Sequence, residues 1–397
     1  MRPADSELVE STEPGPSTRE PSDVAPRLRV ALDGTPLLGL RTGVGHLTAA
    51  LIEALASSGH LDLVVYAITF RGRRSLAASV DQHAESAVRS MPARLVQECW
   101  RRSSFPRIEH WTGRVDVVHG TNYVGPPARA PVVISVHDLT FAYHAALAAP
   151  NHNLELISRA LKRGATVHTI SDYVAAQARD LFRLPDDRVV RIYPGLVTAG
   201  HGDARRGQAR AGTDRYVLFL GELGPRKNVS RLVRAFDEVA RDDPDLHLAL
   251  VGPDGADTPR VEDAIARAQH GARVHRLGYV TGADRLDLLA GASVFAFPSL
   301  DEGFGFPPLE AMSAGVPVVA ADAGALPEVL GDAALLVDPT DVGALAGAIT
   351  TALEPVVAGE LVARGRLRAA RYRWDRTATE LEALYRRLAR PAATQLP

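Results

Sequence analysis

The side chains best suited to chemistry are concentrated in residues 298–312, PSLDEGFGFPPLEAM. An apolar run at 293–297 reads as a buried strand ending at Pro298. Gly303 and Gly305 then flank Phe304 in a short loop, and Pro307 and Pro308 lead into Leu309-Glu310-Ala311-Met312, the predicted opening of a helix. Strand, glycine loop and helix start together make an anion site. Glycines let backbone N–H groups come close to a ligand, first-turn amides lack partners, and the helix dipole is positive there. Proline is tolerated in that turn because its missing donor has no partner in any case. Glu302 and Glu310, eight positions apart, bracket the loop. Glu310 alone reads equally well as a carboxylate complementing the dipole. Taken as a pair around a phosphate-sized loop, they suit a ligand that is anionic in its middle and hydroxylated at both ends, as a nucleotide sugar is.

Three other places carry candidate groups. Arg226 and Lys227 lie on the glycine-bearing loop 221–228, after an apolar strand at 216–220 and before a helix expected over 229–240. Arginine can grip two phosphate oxygens in a plane while lysine supplies a point charge, so the pair suits a pyrophosphate; a solvated pair in a turn is the competing reading. His137-Asp138 ends a strong strand at 131–136, and ligands in open α/β sheets sit beyond the carboxyl ends of strands. A structural histidine is the alternative there. Gly43 and Gly45 occupy a loop, 39–45, between a strand at 29–33 and a helix expected over 46–57. By themselves they fit either a phosphate approach or a plain turn.

The elements that must position these groups form two successive arrays of alternating strands and helices, each with a glycine loop after its first strand. That pattern predicts an α/β chain with two Rossmann-like domains facing across a cleft. The expected division is a disordered Pro/Ser/acid-rich tail at 1–26, a first domain at 27–198 and a linker at 199–214, rich in Gly, Arg and Ala without periodicity. A second domain follows at 215–375, with a closing amphipathic helix and tail at 376–397. A length of 397 residues suits two domains, and 46% hydrophobic with 23% charged residues describes a globular chain. A formal net charge of −2 gives no case for nucleic-acid binding, and Cys99, the one cysteine, excludes an internal disulfide and fits a reducing cytosol. No secretory signal or membrane-length apolar run is read, so a cytoplasmic location is expected. Residues 71–114 differ, with nine arginines against four acids and Trp100, Phe105, Ile108 and Trp111 among them. This reads either as a solvated helical face over its own core aromatics or as a peripheral contact with anionic lipid at the inner face of the membrane.

Residues 298–312 resemble the glutamate-pair motif of retaining GT-B glycosyltransferases of family 4, the glycosyltransferase group 1 family. Pro225-Arg226-Lys227-Asn228 resembles the family's PRKN segment, His137-Asp138-Leu139 its HDL segment, residues 166–173 its AVSEFS segment and 188–195 its VVPNGV segment. The resemblance extends from about Arg29 to Leu388. It implies the GT-B fold, Arg226 and Lys227 as donor-phosphate ligands, and Glu310 on ribose hydroxyls. It also implies Glu302 with Gly303, Phe304 and Gly305 on the sugar, His137 against the donor sugar, and Gly43 and Gly45 facing the pyrophosphate. Glu222 departs from relatives that carry arginine just after the first glycine of that loop, which shifts the burden to Arg226.

The resemblance therefore implies a retaining hexosyltransferase that uses a nucleotide sugar as co-substrate, without metal or other cofactor. Its acceptor is expected to be a glycan, a lipid-linked species or a small molecule. In such enzymes a leaving phosphate oxygen can take the acceptor proton. The segments HDLT and PRKN look most like mannosyltransferases and rhamnosyltransferases of surface polysaccharide assembly, which puts GDP-mannose first, then UDP-glucose or UDP-GlcNAc. The only Asp-x-Asp triplet, Asp243-Pro244-Asp245, lies between a helix and a strand, where turn chemistry explains it. A sugar-nucleotide epimerase of the same fold and a non-catalytic nucleotide-binding partner are the alternatives. A pyridoxal-phosphate phosphorylase is disfavoured, because neither Lys162 nor Lys227, the only lysines, lies in a suitable segment.

Overall fold

The computed structural model describes residues 27–39, 43–80, 84–87, 89–90, 92–143, 152–197 and 202–390. The tail expected at 1–26, the last residues of the chain and part of the expected linker lie outside them.

Two parallel sheets carry the chain. The first comprises β1 (Leu28–Asp33), β2 (Leu61–Tyr66), β3 (Glu85–Ala87), β4 (Val117–Gly120), β5 (Val132–Val136), β6 (Thr166–Thr169) and β7 (Val189–Arg191), in the order β3-β2-β1-β4-β5-β6-β7. The second comprises β8 (Tyr216–Leu220), β9 (His247–Val251), β10 (Val274–Gly278), β11 (Val294–Phe297), β12 (Val318–Ala321) and β13 (Leu335–Val337), in the order β10-β9-β8-β11-β12-β13. Each is a doubly wound sheet whose order reverses beside its first strand, between β1 and β4 and between β8 and β11. Crevices for ligands open at the carboxyl ends of strands at such points. The central strands are continuous apolar runs because helices cover both faces: Val30, Ala31 and Leu32, and Val294 to Phe297, are all fully buried.

Two elements tie the bodies together or alter the expected boundaries. Residues assigned to a linker form a helix, Ala204–Ala211, capped by the Asp203 carboxylate on the Arg206 amide. It lies against the helix Gly282–Gly291 so closely that a Cβ on Gly207 would stand 1.9 Å from the Asp287 carbonyl oxygen. Small residues that looked like linker composition are there to let two backbones touch. The helix Trp374–Ala389 crosses back onto the first body, where Ala378, Leu381, Leu384 and Tyr385 join the core built from Val30, Leu51 and Leu55.

That crossing helix also ends a buried polar chain through the first sheet. His168 Nε2 lies 3.2 Å from the Ile192 carbonyl, which only accepts, so it carries the proton. The direction of every other bond follows. Ser135 donates to His168 Nδ1, His119 Nε2 donates to Ser135, and the Tyr385 hydroxyl donates to His119 Nδ1. Burial lowers the basicity of both imidazoles, to about 4 for His168, and the chain is satisfied only when both are neutral. His119, given no role by its position, is thus the middle of a structural relay.

Residues 71–114 split between the two readings. Trp100 and Ile108 are core, with Trp100 Nε1 donating to the Pro106 carbonyl. Arg101 pairs with Glu98 and Glu155. Leu95 and Phe105 remain exposed beside Arg94, Arg102 and Arg107. The basic and aromatic surface is therefore smaller than the composition suggests, because Trp100 and Ile108 pack inward. Among the described residues no single helix is long and apolar enough to cross a membrane.

Candidate active site between the two sheets

The loops after β8 and β11 flank the switch point of the second sheet, so topology brings the cation pair to the glutamate. Asn228, with φ of 58°, closes the first loop, and its amide donates to the carbonyls of Pro298 and Pro339, pinning the loop to its neighbours. The Leu300 amide donates to the Arg226 carbonyl at 2.8 Å. The Lys227 ammonium then lies 2.6 Å from Glu302 Oε1 and the Arg226 guanidinium 2.6 Å from Glu302 Oε2. Arg226 also donates to the Asp301 carbonyl at 2.7 Å, and Lys227 stands 4.7 Å over the Phe297 ring.

Burial opposes ionisation of Glu302, but Lys227 and Arg226 outweigh it and hold its carboxyl down at about 2. Arg226 is raised in spite of burial because Glu302 faces it, whereas burial lowers Lys227. The carboxylate is the clearest reporter: it faces two cations, while the cations share one anion. A diphosphate presents more charge in the same geometry and can take over both cations, leaving the Glu302 oxygens for hydroxyls.

Across the cleft, His137 follows β5. Its Nε2 donates to the Thr121 carbonyl at 2.7 Å, and burial lowers its basicity, so the ring is neutral with Nδ1 as acceptor. Nδ1 is buried and has no partner among the described residues. Tyr123 packs edge-on against the ring at 5.9 Å. A neutral imidazole with this tautomer leaves Nδ1 able to accept one hydrogen bond.

The two bodies meet directly at this place. A Cβ on Gly303 would stand 1.9 Å from the His137 carbonyl oxygen, so the absent side chain is what lets the glycine loop reach the first body. Ser171 Oγ donates to the Gly303 carbonyl at 2.7 Å. Glu328, from the helix Leu326–Leu330, accepts from the amides of Asp172 (2.7 Å) and Tyr173 (2.9 Å) in the first turn of the helix Asp172–Phe182, and from the Tyr193 hydroxyl. Asp301 accepts from the Thr140 and Tyr173 hydroxyls.

The candidate residues do not all stand where their sequence context put them. Arg226, Lys227, Glu302, Gly303 and His137 converge. The helix after the loop is Phe306–Ala314, so Pro307 and Pro308 are its second and third residues and Glu310 stands in its second turn, where dipole complementation is weak. Glu310 pairs instead with Arg285, and burial raises its carboxyl against that pairing. Gly305 caps this helix with φ of 111°. The Phe304 side chain is 3% exposed, packed against Phe306, Tyr372 and, from the first body, Tyr193, because an apolar ring gains more there than beside charges. Gly43 and Gly45 are not in a loop: the helix Gly43–Ser57 already includes both, and residues 40–42 lie outside the described set. Asp301, Glu328, Arg285, Thr140 and Tyr173 carry no local signal for these contacts, which form only when distant segments meet; Ser171 carries only that of a helix cap, accepting from the Val174 amide. Among the described residues no three His, Cys, Asp or Glu side chains gather as a metal site. Asp243 pairs with Arg215 at the amino-terminal end of β9, away from the cleft.

Comparison with known proteins agrees with this geometry. Residues 41–199 match the model of Glycosyltransferase Family 4 and residues 202–358 that of Glycosyl transferases group 1. O-antigen chain mannosyltransferase B of Escherichia coli is 30% identical over 305 residues, covering 71% of this chain and 78% of that protein. A D-inositol 3-phosphate glycosyltransferase of Acidothermus cellulolyticus is 33% identical over 314 residues, covering 71% and 70%. Among solved structures, sucrose-phosphate synthase from Thermosynechococcus elongatus superposes with a TM-score of 0.71 at 22% identity, over 91% of this chain and 99% of that one. HepE from Anabaena, in complex with UDP and glucose, superposes with a TM-score of 0.67 at 18% identity, over 91% and 100%. With two doubly wound sheets meeting at a cation-lined cleft and relatives of this kind over most of its length, the chain belongs to the group 1, family 4 glycosyltransferases of GT-B fold.

Proposed function

We propose that this glycosyltransferase moves a hexosyl group, with mannose from GDP-mannose as the first choice, with retention of anomeric configuration and without a metal. The observation that carries the reading is the convergence of Arg226, Lys227 and Glu302 beside Gly303, which meets the His137 carbonyl and so brings in a histidine whose Nδ1 has no partner among the described residues. In this reading the two cations take the donor diphosphate and stabilise the negative charge that develops on it as the glycosidic bond breaks. Glu302 and His137 Nδ1 accept hydrogen bonds from sugar hydroxyls, and Glu310 those of the ribose. In this reading Glu302 is engaged by sugar hydroxyls once the diphosphate has taken the cations, and is not free to serve as base for the acceptor hydroxyl. That favours transfer of the acceptor proton to the departing phosphate oxygen, as a front-face retaining reaction requires. Cations placed as Arg226 and Lys227 are supply the charge neutralisation that a divalent ion gives elsewhere, which supports the metal-independent reading.

Mannose is favoured because O-antigen chain mannosyltransferase B is among the most similar relatives and an MMP alpha-(1->4)-mannosyltransferase of Mycolicibacterium hassiacum is 36% identical over 195 residues. The acceptor is a glycan, lipid-linked or small-molecule hydroxyl. Arg94, Arg102 and Arg107, with Leu95 and Phe105 exposed, are the surface at which a lipid-linked acceptor or anionic headgroups would approach. A thermal-denaturation panel of GDP-, UDP-, dTDP- and ADP-sugars tests the donor. At a concentration of about 100 Kd the cognate donor stabilises the fold by about 2.7 kcal/mol, a rise of roughly 5 °C. GDP-mannose is expected to give the largest rise. A larger rise with another sugar nucleotide overturns the donor assignment, and none with any of them overturns the nucleotide-sugar site.

A further inference from the structure

We propose that Asp301 is a positioning residue, a carboxylate that locks the two bodies in the arrangement in which the cation pair and Glu302 face His137. The proposal rests on the transferase reading for its kinetic consequence but not for its structural one.

Asp301 is 2% exposed and belongs to the second body, immediately before Glu302, yet both partners of its carboxylate belong to the first. Thr140 Oγ1 donates to Oδ2 at 2.8 Å and the Tyr173 hydroxyl donates to Oδ1 at 2.9 Å. On its own side, the Asp301 carbonyl accepts from Arg226 at 2.7 Å. One residue therefore connects the guanidinium assigned to the diphosphate, the glutamate assigned to the sugar and the loop that ends in Thr140, three positions after His137. Both hydroxyl partners are themselves held. The Thr140 amide donates to Asp138 Oδ1, and Gln177 Nε2 donates to the Tyr173 oxygen, leaving the Tyr173 proton for Asp301.

The energetics make this a closure device rather than a passive contact. When the bodies separate, the carboxylate gains water and loses nothing irreplaceable. When they close it is desolvated, and an ion in that position is tolerable only if charge-assisted bonds replace the water. Thr140 and Tyr173 supply two, in the same arrangement in which Gly303 meets the His137 carbonyl. The clamp thus selects one closed geometry and penalises near misses. Asp301 touches neither donor nor acceptor in this role.

The test compares wild type with Asp301→Ala, Asp301→Asn, Thr140→Val and the Asp301→Ala/Thr140→Val double variant, each checked for its fold by circular dichroism. Small-angle scattering with and without UDP or GDP reads closure, and steady-state kinetics reads turnover. For Asp301→Ala, nucleotide-dependent compaction is expected to disappear and kcat to fall roughly 10- to 100-fold, with KM for the donor within about threefold. Thr140→Val is expected to lose less, and the double variant to be no worse than Asp301→Ala alone, because both remove the same bond. Asparagine keeps one acceptor oxygen and is expected to recover part of the turnover. A purely structural role would lower the melting temperature without changing compaction or the KM-to-kcat pattern. Compaction of Asp301→Ala equal to wild type, or effects of Asp301→Ala and Thr140→Val that multiply, overturns the proposal. Should the wild type transfer hexose from no donor, the transferase reading falls, while scattering with UDP or GDP still decides whether Asp301 holds the bodies closed.

Discussion

Replacing Glu302 by alanine is expected to lower kcat by on the order of 10²- to 10³-fold, the loss typical of removing one group oriented toward the reacting centre. Affinity for the nucleoside diphosphate alone is expected to hold or improve. Glu302 competes with phosphate for Arg226 and Lys227, each at 2.6 Å, and its removal frees both. Stability moves the other way. Two partly buried cations lose their shared anion, and the fold is expected to lose about 3 kcal/mol, the low end for a broken buried pair because Arg226 keeps a quarter of its side chain exposed. The pH dependence follows from the depressed carboxyl. Its pKa is about 2 in the fold against 4.5 ordinarily, so between those values the unfolded chain binds more protons and stability rises with pH. The stabilisation is complete above about pH 4.5 and is lost as pH falls toward 2. Urea midpoints at pH 7, 4 and 3 are expected to drop less in Glu302→Ala than in wild type. Diphosphate binding that collapses with Glu302 would place the carboxylate in direct support of the phosphate and sink the division of labour proposed for this cluster.

The second large effect comes from Gly303. An added Cβ would lie 1.9 Å from the His137 carbonyl oxygen and 3.0 Å from its carbon, and neither backbone atom can swing aside as a flexible side chain does. The bodies must separate by about an ångström, a displacement that by itself costs about 100-fold in rate when reacting groups are pre-aligned. Gly303→Val is expected to lose at least that much kcat and to retain diphosphate affinity, since Arg226 and Lys227 lie with Gly303 in the second body and the displacement falls between the two bodies. Calorimetry with GDP and initial rates with the donor separate the two quantities. Wild-type turnover in this variant would show that the closed contact plays no part in the reaction.

The sheets and the chemistry of single loops were legible in the sequence; the contacts between loops were not. Strands such as Val294–Phe297 and Tyr216–Leu220 are apolar on both faces, the usual sequence form of a strand covered by helices on both sides. Arg226-Lys227 and Glu302 stood out because charges beside glycines after such strands have few structural reasons to be there. The helix Ala204–Ala211 was hidden because a surface packed by Gly202 and Gly207 leaves no apolar stripe to count. Phe304 misled in the opposite sense: its place between two glycines suggests a ligand-facing ring, but the ring is buried among Tyr193, Phe306 and Tyr372. Asp301 and Glu328 were illegible for a more general reason. Each is an ordinary acid in an ordinary loop until a hydroxyl or an amide more than a hundred residues away arrives beside it. Glu310 falls between these cases. Its spacing from Glu302 marked it, but its pairing with Arg285 depended on a neighbouring helix that the spacing does not specify.

The central claim is a metal-independent transfer with retention at the cleft that holds Arg226, Lys227 and Glu302. It is tested most directly by proton NMR of GDP-α-mannose turnover, to a panel of saccharide and lipid-linked acceptors and to water, with excess EDTA throughout. The first product formed is expected to carry the α configuration, at a rate unchanged by the chelator and strongly reduced in Glu302→Ala. A β-configured first product, or turnover that stops in EDTA and returns only with manganese, would contradict it.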